Sequence, residues 1–389
     1  MATWVVYLAE TRNRFFDSRV YHGAIEYWFR QGGMVYDWLL APTPYGFTYP
    51  PFAGLVMAPM AYVSITTVIV IATIATVITT AVLVWWFAGP LIKRKGWTTW
   101  YALGVAVCLA LAFEPVRDTI TFGQVNTLLL TLVAGDVLFG VARGRKWSGV
   151  GIGLATAVKL TPGVFILYLL LTRRWRAALT ASGTAYAATL LAGLIFPDQS
   201  REFWTSALWD TSRVGVLYVI SNQSERGMLA RLDLGAVESK VWAVGVLVTL
   251  AVWAWRVLRT RNDIVGGFAL TGVLGCLISP VTWIHHCVWL IPALIRCIDM
   301  GFTRPDRRRL ILAGTTYLVL SSRLTQLWER PSRLPLGFVG SNLYVWFSLA
   351  LLFWTPLGVP GAAPEAEPEL VAAEAEPEPV ASGGVPGPV

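Results

Sequence analysis

Asp17 stands a short way ahead of Val20-Tyr21-His22-Gly23-Ala24, and the same stretch runs on through Tyr27-Trp28 and Val35-Tyr36-Asp37 to Phe47-Thr48-Tyr49-Pro50-Pro51-Phe52. Aromatic rings interleaved with small and acidic residues suit a carbohydrate, because rings stack on its C–H faces and carboxylates accept from its hydroxyls. A carboxylate in a desolvated position has its pKa drawn toward the working range and serves as a general base toward an alcohol. Asp17 is the first candidate for that base and Asp37 the competing one. Tyr21, His22 and Tyr49 are candidate sugar contacts. The same composition also describes an interfacial aromatic belt with Asp17 as a helix cap, and both accounts stay open at this point.

Three further clusters carry polar chemistry. Glu114-Pro115-Val116-Arg117-Asp118 followed by Phe122-Gly123-Gln124-Val125-Asn126 sets an arginine and two amides at the head of a helix, which makes an anion site around Arg117 or a local Arg117–Asp118 pair. Gln124 and Asn126 are candidate sugar contacts. A long loop holds Asp210, Arg213, Asn222, Gln223 and Arg226, where the arginines meet either a phosphate or their neighbours Asp210 and Glu225. Asn222 and Gln223 join the sugar-binding candidates. The third cluster, Ser279-Pro280-Val281-Thr282-Trp283-Ile284-His285-His286, contains two of the three histidines of the chain. Either can orient a hydroxyl or donate to a phosphate, with Trp283 as a stacking surface. Adjacent helical positions point about 100° apart, so one ring is expected to face a ligand and a bidentate metal site is not expected. Lys159 interrupts an apolar stretch, either snorkelling to an interface or serving as a point charge for a polyprenyl phosphate head group.

The elements that position these residues are set by composition. Of 389 residues 55% are apolar and 14% charged, with a mean hydropathy of +0.58, which excludes an ordinary soluble enzyme and a disordered chain. The chain reads as an all-α polytopic membrane protein. Six glutamates between Glu365 and Glu378 lie in a stretch without Lys or Arg; with them set aside, 31 basic residues face 17 acidic ones. That excess suits cytoplasmic loops and acidic lipid ligands, and membrane burial argues against nucleic acid as a partner. Nine apolar runs, from Ser64–Ala88 to Leu343–Leu357, are candidate spans. Basic clusters at Lys93–Lys95, Arg143–Lys146, Arg173–Arg176, Arg256–Arg261 and Arg304–Arg309 mark one side. Two of them flank one stretch of about 25 residues, so that stretch enters and returns as a hairpin broken near Lys159-Leu160-Thr161-Pro162. The polar clusters then share the opposite, outer side. Cys108, Cys276, Cys287 and Cys297 read as packed thiols rather than bridges or ligands. The segment from about Pro360 has too few large apolar residues to fold and reads as a disordered cytoplasmic tail. Walker, dinucleotide, zinc-protease and serine-hydrolase signatures are absent, as is an Asp-x-Asp pair for a nucleotide sugar. An enzyme of this kind takes a lipid-borne donor and needs neither cofactor nor metal.

The ordered succession from Asp17 to Trp289 resembles the DUF2029 group of polytopic GT-C glycosyltransferases, glycosyltransferase family 87, typified by actinobacterial polyprenol-phosphate-mannose-dependent α-(1→2)-mannosyltransferases. The resembling stretches are Asp17 with Val20–Ala24, Phe47–Phe52, Gly123–Asn126, Gly153–Ala155 with Lys159–Pro162, Asp210–Arg213, Asn222–Ser224 with Arg226-Gly227, and Ser279-Pro280 with Trp283, His285 and His286. The resemblance implies a GT-C-like bundle of about 10–11 membrane helices with short extracytoplasmic loop helices. It implies an acidic base in the first outer loop, the place of Asp17, and a histidine near the reaction centre, which falls on His285 or His286. It also implies a full membrane helix ahead of the acidic loop, of which Trp4–Leu8 is all that corresponds.

The expected organisation is a catalytic loop with a first-helix remnant over residues 1–51, a membrane domain over 52–358 and the tail over 359–389. The expected reaction is inverting transfer of mannose from a polyprenyl phosphate sugar donor to the 2-hydroxyl of a mannosylated lipid or lipoglycan acceptor. Lys159, Arg213, Arg226 and Arg117 are the candidate donor-phosphate contacts. Two rivals stand beside it: a decaprenyl-phosphate-arabinose-dependent arabinofuranosyltransferase, and a lipid or sugar transporter with the same helices and pocket.

Overall fold

The computed structural model describes residues 13–210, 213–304, 306–328 and 335–358. The Trp4–Leu8 remnant, Thr211, Ser212 and the acidic tail lie outside the described residues. The helices are α1 (Phe16–Gln31), α2 (Pro51–Met57), α3 (Ile65–Arg94), α4 (Thr99–Ala112), α5 (Glu114–Phe122), α6 (Asn126–Gly135), α7 (Val150–Val158), α8 (Val164–Leu171) and α9 (Trp175–Ile195). They continue as α10 (Pro197–Glu202), α11 (Glu225–Ala230), α12 (Glu238–Arg259), α13 (Ile264–Ile278), α14 (Ile291–Thr303), α15 (Arg307–Ser321), α16 (Pro335–Ser341) and α17 (Leu343–Trp354). Among the described residues no strand forms; Leu39–Gly46 and Asn222–Trp283 make isolated bridges. The protein is all-α and polytopic.

Hydropathy runs and physical helices differ in count. Among the described residues four helices are long and apolar enough to cross a membrane, or six if each of two bent pairs is one span, and four shorter apolar helices accompany them. The bends explain part of the difference, and the runs at Asn126–Val141 and Ile264–Ile278 fold as helices shorter than a full span. Glu114-Pro115 opens α5 directly after Phe113, and α5 lies 67° from α4, while α16 and α17 meet at 70° around Asn342. A window of apolar residues does not register such a break.

Helix α3 starts where Ser64 Oγ accepts the Thr67 N–H at 3.2 Å, and it ends at the basic run Lys93–Lys95. Its thirty residues reach about 45 Å at the helical rise, so its two ends define two sides of the molecule. At the basic end Arg94 pairs with Asp299, Lys95 donates to the Phe302 carbonyl, and Arg176 donates to the carbonyls of Gly144 and Arg145.

The stretch around Lys159 is the expected hairpin. Asp136 accepts the N–H groups of Gly149 (2.8 Å) and Ile152 (3.0 Å) at the start of α7, where a carboxylate complements the helix dipole. Helix α7 then lies against α9 with no room for a side chain between them. A Cβ on Gly149 would sit 2.2 Å from the Ala177 carbonyl oxygen, and one on Gly153 2.4 Å from that of Ala181. Lys159 leaves the helix in extended backbone, Pro162 shapes the turn Thr161–Gly163, and α8 returns toward the basic end. Lys159 therefore stands at the apex.

Helix α1 is amphipathic, with Val20, Tyr21, Ala24, Ile25 and Trp28 buried at helical spacing against Val35, Tyr36, Phe47 and Tyr49. Cys276, Cys287 and Cys297 are buried free thiols, whereas Cys108 is exposed on α4.

Candidate active site

Asp17 is fixed from two directions. The N-terminal end of α1 docks on the C-terminal end of α5: the Phe15 N–H donates to the Thr121 carbonyl at 3.0 Å, and Asn13 Nδ2 donates to Thr121 Oγ1 at 2.7 Å. The approach is close because residue 123 is glycine. Its φ of +75° is the left-handed cap of α5, and a Cβ there would lie 1.8 Å from Ser18 Oγ. The next residue, Gln124, then donates from Nε2 to Asp17 Oδ2 at 2.7 Å.

The amide orientation is set by a chain of phenols. Tyr49 donates to Gln124 Oε1 at 3.0 Å, so the Gln124 nitrogen is the end that faces Asp17. With its one proton used, Tyr49 accepts from Tyr21 at 2.9 Å and from Lys159 Nζ at 3.4 Å. Burial pushes the Tyr21 and Tyr49 phenols up, which keeps both protonated. Burial also pushes the Asp17 carboxyl up to about 6, against the Gln124 hydrogen bond and the Lys159 charge, which both lower it.

These groups wall a cavity of about 510 Å³ that also takes in Arg213, Trp283, His285 and His286. Lys159 donates to Asn126 Oδ1 at 3.0 Å, lies 3.0 Å from His286 Nε2 and sits over the Tyr49 ring at 5.2 Å. His286 Nδ1 accepts the Trp283 N–H at 3.2 Å, so the neutral ring carries its proton on Nε2, toward Lys159. His285 is buried against Phe122 with ring centres 5.1 Å apart, and its Nε2 has no partner among the described residues. Both histidines line the cavity, contrary to the expectation that only one faces a ligand. They lie in a 3-10 turn, Ile284–Leu290, with the rings edge to face at 4.7 Å. A 3-10 turn sets neighbours about 120° apart, so the shared lining comes from the side chains, whose rings turn into contact with each other, and not from the backbone direction.

Asp17, Tyr21, Tyr49, Gln124, Lys159, Arg213, Trp283, His285 and His286 are thus brought together, and Asn126 adjoins them through Lys159. Five expected site residues are elsewhere. Arg117 donates to the Ser321 carbonyl at 2.7 Å and belongs to the buried α5 network. There Glu114 accepts from Tyr344 (2.7 Å) and Gln326 (3.0 Å), and Arg323 pairs with Asp118 at 2.8 Å. The segment expected as a polar outer loop is a buried helix because these partners, more than 200 positions away, neutralise it. Arg226 stacks on Trp242 at 4.8 Å rather than pairing with Glu225. Asn222 and Gln223 are spent on backbone: Asn222 accepts the Thr282 N–H, and Gln223 donates to Ser341 and accepts from Tyr344. His22 bonds the Val63 carbonyl at 2.9 Å on the outer face of α1. Arg213 keeps Asp210 (3.3 Å) and the Tyr36 carbonyl (2.7 Å) while lining the cavity. Tyr45, Thr48, Phe122 and Ser279 line it too, without having been assigned a role from sequence. The aromatic-rich first loop was the only signal for Tyr45 and Thr48.

The arrangement offers a carboxylate with a raised pKa facing a cavity that a cation and two imidazoles close from the other side. That is equipment for taking a proton from a hydroxyl beside an anionic leaving group. Comparison with known proteins narrows the class: the family model of glycosyltransferase family 87 matches residues 47–280. The chain belongs to glycosyltransferase family 87. Among its relatives, a polyprenol-phosphate-mannose-dependent alpha-(1-2)-phosphatidylinositol mannoside mannosyltransferase of Mycobacterium tuberculosis is 32% identical over 81% of this chain and 78% of its own length. A polyprenol-phosphate-mannose-dependent alpha-(1-2)-phosphatidylinositol pentamannoside mannosyltransferase of Mycolicibacterium smegmatis is 30% identical over 92% of this chain and 88% of its own. An alpha-(1->3)-arabinofuranosyltransferase of Corynebacterium glutamicum is 26% identical over 64% of this chain and 59% of its own. No solved structure matches. Within this family 87 glycosyltransferase, Tyr49, Gln124, Lys159 and Arg213 fall inside the matched segment, and Asp17 and the histidine pair fall outside it.

Proposed function

We propose that the protein transfers mannose, with inversion, from a polyprenyl phosphate mannose donor to the 2-hydroxyl of a mannosylated phosphatidylinositol-type lipid. Asp17 is the base. The acceptor oxygen attacks C1 of the sugar, the C1–O bond to phosphate breaks with both electrons leaving on the phosphate, and the acceptor proton passes to Asp17. Placement and base assistance suffice for the step because a phosphate ester is a good leaving group. The observation that carries this reading is the Gln124–Asp17 hydrogen bond of 2.7 Å, which occupies Oδ2 and leaves Oδ1 for the incoming hydroxyl.

The donor phosphate belongs at Lys159 and His286. An ammonium and an imidazole N–H converge there within 3.0 Å, and an anionic oxygen accepting from both resolves that meeting of donors. Arg213 borders the same cavity and adds positive charge. His285 Nε2, buried and unpartnered, is placed for an acceptor hydroxyl. The site lies outside the cytoplasm in this reading, since the basic clusters gather at the opposite end of α3.

The test is incubation of membranes containing the protein with labelled polyprenyl phosphate mannose and a phosphatidylinositol mannoside, followed by linkage analysis. An α-(1→2)-linked mannose in the product is expected. Label entering only from decaprenyl phosphate arabinose would replace mannose with arabinose as the substrate; movement of either lipid without bond formation would make the protein a transporter.

A further inference from the structure

A second cavity, of about 900 Å³, shares no lining residue with the Asp17 cavity. Helix α4 forms one wall and has no buried residue along its length; the floor and far wall come from α3, α14 and α15. None of the residues lining the groove is charged. One end is shut, where Tyr317 donates to the Leu109 carbonyl at 2.9 Å and stacks on Phe113 at 5.9 Å. The other end is open at Gly96, Trp97 and Phe302; Lys95 is exposed there with its Nζ 5.7 Å from the Phe302 ring centre, and the exposed Arg304 and Arg308 follow Phe302 in the chain. Trp97 stands edge-on to Phe302 at 5.7 Å, as aromatic side chains do at a membrane interface.

We propose that this groove binds one anionic phospholipid, with its acyl chains between α4 and α15 and its phosphate on the Lys95 and Arg308 rim. Length selects the occupant. Along α14 the lining runs from Ile291 to Phe302, about 17 Å at the helical rise, close to one leaflet of a hydrocarbon core of about 30 Å. A diacyl lipid fits that depth. Charge selects the head group: the carboxylates of this turn, Asp299 and Asp306, are already paired with Arg94 and Arg309, which leaves the charges of Lys95, Arg304 and Arg308 to attract an anionic lipid. The donor of the transfer reaction is a poorer occupant: the groove shares no lining residue with the Asp17 cavity, and a phosphate held at Lys95 would lie at the opposite end of α3.

Native mass spectrometry of the full chain in mild detergent, titrated with dioleoyl phosphatidylglycerol and dioleoyl phosphatidylcholine, tests this. The anionic lipid is expected to bind at least about tenfold more tightly, the scale of one to two charge contacts. Ala106→Trp, which fills the groove from α4, and Gly314→Leu, which fills it from α15 where a Cβ meets open space, are each expected to remove that adduct. Lys95→Gln with Arg308→Gln is expected to bring phosphatidylglycerol down to the phosphatidylcholine level. Thermal unfolding of each variant shows which of them are folded. Equal binding of the two lipids to the parent protein, or parent-like adducts on both groove-filling variants, overturns the proposal. Tighter binding of a long polyprenyl phosphate than of phosphatidylglycerol to the parent protein, lost in Gly314→Leu, overturns it as well and assigns the groove to the donor chain.

Discussion

Gln124 and Asp17 are 107 positions apart in sequence and joined by one hydrogen bond of 2.7 Å, from the amide nitrogen to Oδ2. The bond does two things at once. It fixes the carboxylate at the cavity wall, and it holds the pKa of Asp17 below where burial alone would place it. The consequences can be measured.

The first is pH dependence. A base must be ionised to accept a proton, and the Asp17 carboxyl is pushed up to about 6. The donor kcat/KM is therefore expected to fall about tenfold per unit below that value, and to decline again above about 8, where burial brings Lys159 to its neutral form. A profile flat down to pH 4.5 would remove Asp17 from the proton transfer.

Gln124→Leu removes a hydrogen bond that lowers the Asp17 pKa, so the acid limb moves to higher pH. Turnover at pH 7 falls and recovers in part as the pH is raised. A role confined to folding would lower the rate equally at every pH.

Lys159→Gln takes the cation from the proposed phosphate site. A charge-assisted hydrogen bond contributes about 1.5–3 kcal/mol, so the donor KM is expected to rise at least about tenfold. Loss of the same charge raises the Asp17 pKa, which shifts the acid limb upward as well. Competition binding with unlabelled polyprenyl phosphate separates the two effects.

Gly123→Ala tests how the base is positioned. The left-handed backbone at Gly123 costs a residue with Cβ about 1–2 kcal/mol, and the new atom would also meet Ser18 Oγ. Thermal unfolding is expected at lower temperature, with a larger loss in kcat than in donor affinity. Adding Ser18→Gly relieves the contact but not the backbone strain, so recovery is expected to be partial.

Much of this site was legible in the sequence where one residue type carries one strong preference. Asp17 among aromatic residues, Lys159 at a proline break and paired histidines at a helix mouth are costly near a bilayer without a use, and all of them meet in the cavity. Arg117, Arg226, Asn222 and Gln223 were equally costly by that measure. Their partners Ser321, Trp242, Thr282 and Ser341 lie at separations no local pattern encodes, or offer only a backbone carbonyl or N–H, which every residue has. The hairpin was legible because two basic clusters flank one short apolar stretch. The bends of α4–α5 and α16–α17 were not, because hydropathy is blind to direction.

The most direct measurement is mannosyl transfer by Asp17→Asn, made beside donor binding by the same preparation. The substitution keeps the side chain's size and removes its capacity to take a proton. Turnover is expected to drop by about 10²–10⁴ with donor affinity within about twofold of the parent, the range for loss of a general base. A variant that still forms the α-(1→2) linkage at near the parent rate would contradict the account.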